Sequence, residues 1–96
     1  MKLHIVNRSP ASSQVYAQAV TAMAPDDRLL LIEDGVQGAL PQLIRYYEDI
    51  PGRLYALRED LEARGLVGRC DASVQVVDVD GFVQLTEEAD QTVSWY

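Results

Sequence analysis

Arg28-Leu29-Leu30-Leu31-Ile32-Glu33-Asp34-Gly35 is the stretch that sets the architecture. An uninterrupted apolar run of strand length, closed by a turn, fits a strand covered on both faces, as in a parallel sheet. Working back, Pro25-Asp26-Asp27 is a turn, and Ala11 to Met23 has helical spacing through Val15, Ala19, Ala22 and Met23. Ser9 is placed to cap that helix, with Pro10 at its first position. Leu3 to Val6 is a first strand. Working forward, Val36 to Tyr47 reads as a helix made irregular by Gly38 and Pro41. Arg53 to Leu57 is a third strand after the Ile50-Pro51-Gly52 turn, and Glu59 to Arg64 is a short helix ended by Gly65. A loop over Leu66 to Ser73 precedes a fourth strand, Val74 to Val77. Asp80 is positioned to cap a last helix over Gly81 to Ala89. Thr92 to Tyr96 has strand composition and either pairs or docks as a tail. This alternation predicts an α/β three-layer sandwich with a mostly parallel sheet of four to five strands and right-handed crossovers.

The 96 residues allow one domain, 1–96, because half that length could not bury a core. Apolar residues at 48% and charged residues at 24% exclude a disordered chain. Eight Lys and Arg stand against 15 Asp and Glu, and a net charge of −7 opposes direct nucleic-acid binding. The single cysteine, Cys70, excludes an intramolecular disulfide and suggests a reducing compartment. With His4 the only histidine, the usual zinc ligand sets are not available. The start lacks the apolar core of a signal peptide, and no run is long enough to span a membrane, so a soluble, cytoplasmic chain without cofactor is expected.

In open α/β sheets ligands collect at the carboxyl ends of strands. Three loops fall there: Asn7-Arg8-Ser9-Pro10, Glu33-Asp34-Gly35 and Asp78-Val79-Asp80-Gly81. Helix N-termini with Arg8 suit an anion, whereas Glu33, Asp34, Asp78 and Asp80 suit a divalent cation. Caps and turns account for the same residues. Lys2 is the only lysine, which leaves a phosphoryl-transfer site without its cation at a strand end. Ser9, Ser12 and Ser13 lack a general base, since His4 lies inside a strand. Cys70, between Arg69 and Asp71, is the only thiol that could carry a persulfide, and nothing marks it as a thiolate. No catalytic residue is therefore expected. Tyr46, Tyr47 and Trp95 are the candidates for a partner interface, where Tyr and Trp are enriched.

Several strings in order resemble the DsrH/TusB proteins: His4-Ile5-Val6-Asn7-Arg8-Ser9-Pro10, Leu29 to Val36, Leu54-Tyr55-Ala56-Leu57 with Glu59-Asp60-Leu61 and Ala63-Arg64-Gly65-Leu66, Asp80 to Thr86, and Val93-Ser94-Trp95. The resemblance implies the DsrEFH-like fold and a role in sulfur relay. It implies two homologous sister subunits in a hetero-hexamer, a dimer of trimers, with sulfur donor and acceptor proteins acting through the complex. Persulfide is carried chiefly on a sister subunit. One branch serves 2-thiouridine formation at the tRNA wobble position; the other serves cytoplasmic sulfur oxidation. The sulfur-oxidising branch has a cysteine nine residues after the Ser-Pro proline, and that position here is Ala19. The expectation is an accessory subunit for tRNA thiolation. The alternatives are a persulfide carrier of the sulfur-oxidation branch acting through Cys70, and a metal- or anion-binding regulatory module.

Overall fold

A computed structural model describes residues 1–96. Five strands, β1 (Lys2–Val6), β2 (Arg28–Leu31), β3 (Leu54–Leu57), β4 (Gln75–Val77) and β5 (Gln91–Trp95), form one sheet in the order β4-β3-β2-β1-β5. All four pairings are parallel. The α-helices are α1 (Val15–Ala22), α2 (Arg58–Ala63) and α3 (Val79–Glu88).

The leucine run behaves as its composition requires. Leu29 and Leu31 point into a core with Val6, Leu54 and Ala56, against Ala19 of α1 and Leu61 of α2. Leu30 and Ile32 point to the opposite face, with Leu3, Ile5, Tyr55 and Leu57 beneath Leu85 of α3. Helices thus cover both faces, and β2 is the central strand. Its amides should exchange more slowly than any others, since central strands open only on near-global unfolding. Hydrogen exchange followed by NMR checks this, and fast exchange across Leu29 to Ile32 would contradict the core assignment.

Four expectations need correction. The first helix begins at Val15, not Ala11. Ser9 does not cap it; its carbonyl accepts the Ser12 and Ser13 N–H groups and its hydroxyl accepts from Ala11, closing a separate turn. Ser13 Oγ then accepts the Val15 N–H, a local side-chain bond that competes with helix extension. Residues 36–47 form no α-helix but two 3₁₀ segments, Glu33–Ala39 and Ile44–Tyr47, on either side of Pro41. The first segment is pressed onto the sheet so closely that a Cβ at Gly35 would lie 2.4 Å from the Val6 carbonyl oxygen. The last helix begins at Val79, and its cap is Asp78, which accepts the Gly81 N–H at 2.9 Å; Asp80 lies in the first turn. The C-terminal segment is a full strand paired along β1, from Lys2↔Gln91 to Val6↔Trp95.

Candidate functional site

Handedness places the helices. Steps from β1 through β4 run one way across the sheet, so right-handed crossovers put their helices on one face. The step from β4 to β5 runs back, so α3 crosses the other face. The carboxyl ends of β1 and β5 lie side by side, with Val6 opposite Trp95. Asn7 and Arg8 follow β1 there. Asn7 is half-buried with its Oδ1 unpartnered, and Arg8 is exposed.

Two of the four carboxylates of the strand-end loops, Asp34 and Asp78, are held by their own surroundings. Asp34 pairs with Arg64 at 3.0 Å, and Asp78 caps α3. The Glu33 N–H, at φ 50°, donates to Asp60 Oδ2 at 2.6 Å. Nowhere do three His, Cys, Asp or Glu side chains come together as a cation set.

A buried polar chain lies beneath β5. His4 and Asp27 are each 2% exposed. The Trp95 indole N–H donates to His4 Nδ1 at 3.0 Å. Indole only donates, so Nδ1 accepts and the imidazole hydrogen sits on Nε2, donating to Asp27 Oδ2 at 2.9 Å. Asp27 also accepts the Lys2 N–H and the Ala24 N–H, both at 2.9 Å. Burial pushes the Asp27 pKa up. The bonds from Ala24, His4 and Lys2 outweigh it and hold the group at about 2. Sequence reasoning placed His4 on a strand face and Asp27 in a turn, and nothing local links residues 23 and 91 positions apart.

Cys70 is half-buried at a cleft of about 310 Å³. Burial pushes its thiol pKa up, opposite to what a nucleophilic thiolate needs. The aromatic candidates separate. Tyr47 is 2% exposed and its ring fills the space over Gly38, edge-on to Tyr16; it is a core residue, which corrects its place among the interface candidates. Its hydroxyl has no partner, and burial with nearby Tyr16 pushes its pKa up. Tyr46 is half-buried under the Arg45 guanidinium, 4.7 Å from its ring centroid. Trp95 is half-buried, its indole edge facing the edge of the nearly coplanar His4 ring, with centroids 6.2 Å apart.

A family model described as DsrH like protein matches residues 8–92. Protein TusB of Escherichia coli O1:K1 / APEC is 38% identical over 96 residues, covering 97% of this chain and 99% of its own. Protein TusB of Shigella dysenteriae serotype 1 is 36% identical over the same span and shares. The crystal structure of ychN protein from E. coli superposes with a TM-score of 0.68, covering 98% of both chains at 19% identity, a likeness of fold. With the parallel five-stranded sheet, the matched residues and these near full-length relatives together, the chain belongs to the DsrH-like family.

Proposed function

We propose that this chain is an accessory subunit of a heteromeric sulfur-relay complex serving 2-thiouridine formation at the tRNA wobble position. In this reading residues 1–96 act as one domain that joins two homologous sister subunits in a dimer of trimers. Sulfur passes over cysteines of other subunits. Family membership supports the sulfur-relay role. The observation that carries the accessory role is Ala19: the position of the sulfur-oxidising branch's cysteine on the first helix holds an alanine, 0% exposed in the core. The remaining thiol, Cys70, lies in another loop, and burial favours its protonated form. Tyr46 and Trp95 are the remaining aromatic anchors for the sister subunits. The net charge of −7 leaves RNA contact to other members of the complex. No helix is long and apolar enough to cross a membrane, in keeping with a complex that works on tRNA in the cytoplasm.

The test joins assembly to chemistry. In a host lacking the chain, 2-thiouridine in tRNA, measured by mass spectrometry, should fall and be restored by the wild type. Cys70→Ser should restore it equally and co-purify with the sister subunits. Normal assembly with lost thiolation would show instead that Cys70 carries sulfur.

A further inference from the structure

We infer that His4 is a proton-operated latch on the end of β5: the neutral ring holds the Trp95 indole, and the protonated ring releases it while the sheet stays folded. The inference rests on this chain's own hydrogen bonds and is independent of which complex it joins.

The donor and acceptor roles leave one place for a second proton. Nε2 carries its hydrogen toward Asp27 Oδ2 at 2.9 Å, and Nδ1 takes the indole N–H at 3.0 Å. The one basic lone pair of the ring is therefore the one that Trp95 uses. A proton arriving there turns Nδ1 into a donor, and an indole N–H cannot accept. Two N–H groups then face each other, and the bond is lost. The protonated ring is not left as an unpaired buried charge, because the Asp27 carboxylate already lies on Nε2. That carboxylate, its pKa held at about 2, stays ionised through mild acid and keeps its bonds from Lys2 and Ala24. His4 and Asp27 thus remain in place, and Trp95 is the partner that moves. Imidazole is also the side-chain type whose charge changes in the mildly acidic range.

Asp27 is the charged group bonded to the ring; the others nearby are engaged elsewhere or face away. The helix over this face, Val15–Ala22, carries no Asp, Glu, Lys, Arg or His, and Tyr16 is its one titratable side chain. On either side of His4 in the sheet stand Leu29 of β2 and Val93 of β5. Lys2, on the same face of β1, is exposed. Arg53 donates to the Ala24 and Asp27 carbonyls, and the Met1 amino group pairs with Asp90 and Asp26. Arg28 stands opposite Leu3, on the other face of the sheet, and pairs with Glu88 of α3. Trp95 also has room to leave. It is half-buried at the last paired position of β5, and no strand lies outside β5.

The chain has one His and one Trp, so each ring gives a single set of NMR signals. A ¹⁵N titration from about pH 7.5 to about pH 4.5 should show the His4 ring hydrogen on Nε2 at the start and on both nitrogens at the end. The Trp95 indole N–H should shift in the same step and exchange with water about tenfold faster. The Leu29 to Leu31 amides should stay protected through that step. Trp95→Phe removes the indole N–H, and its ring transition should move to higher pH, since the bond that favours the neutral ring is gone. His4→Gln, which can accept from the indole and donate to Asp27 without titrating, should keep the indole signal unchanged across the range. The wild-type and Trp95→Phe titrations decide the matter even where His4→Gln fails to fold. Five results would each overturn the proposal. They are an indole signal that ignores the ring transition, a neutral ring with its hydrogen on Nδ1, and no ring transition above pH ~4. The other two are identical transitions in wild type and Trp95→Phe, and loss of the Leu29 to Leu31 amides in the same step.

Discussion

Asp27→Ala should destabilise the chain by about 3–5 kcal/mol, a large part of the roughly 5–15 kcal/mol that holds a domain of this size. The carboxylate accepts the Lys2 N–H, the Ala24 N–H and His4 Nε2–H, and alanine leaves all three without a partner. A buried donor left unsatisfied costs about 1–3 kcal/mol. The bond between Trp95 and His4 depends on the same hydrogen placement, so the end of β5 should loosen with it. A thermal scan should show Tm lowered by more than about 10 °C. Asp27→Asn keeps one accepting oxygen and should fall between. The same group sets an acid limit. Its folded pKa is about 2 against an ordinary 3.8, so its contribution is complete above pH ~4 and is lost as the pH falls toward 2. That contribution is at most about 2 kcal/mol, reduced by solvent screening because Asp27 lies close beneath the surface. Wild type should therefore lose stability between pH ~4 and ~2 while Asp27→Asn changes less; parallel acid curves for the two would remove Asp27 from this role.

Gly35→Ala should cost about 3 kcal/mol through overpacking alone. The added Cβ would sit 2.4 Å from the Val6 carbonyl oxygen and 3.3 Å from the Asn7 Cα, both backbone atoms. That carbonyl cannot swing aside, because it accepts the Ile32 N–H at 3.0 Å. The loop after β2 would have to lift from the end of β1. Gly52 is the control: at φ +77° it has open space around it, so Gly52→Ala meets only the left-handed backbone penalty of about 1 kcal/mol. Chemical denaturation of both variants should separate them clearly. Equal losses would mean that the close approach at Gly35 is not what the site tolerates least.

The architecture was readable where its cause is local. Leu29 to Ile32 declares a strand covered on both faces by its own composition, and Gly65 and the Pro25 turn mark boundaries without tertiary help. The 3₁₀ path through Val36 to Tyr47 was not readable, because it follows from the space between Gly35 and β1 and between Gly38 and Tyr47. Tyr46 and Tyr47 are neighbours in sequence, yet one is half-buried at the surface and the other fills the core; composition does not say which way each turns. The chain Trp95–His4–Asp27 joins three segments and exists only once β5 lies beside β1.

The parallel pairing of β1 with β5 also fixes how the molecule answers to force. The two strands lie side by side over five residue pairs and point the same way. The chain enters β1 at one end of the sheet and leaves β5 at the other, so tension applied through Met1 and Tyr96 pulls the two strands lengthwise past each other. Every hydrogen bond of the ladder is then loaded together, whereas pulling from one end of an antiparallel pair opens its bonds one at a time. A molecule stretched between its termini should hold until the whole β1–β5 ladder slips at once, and then give way in a single step.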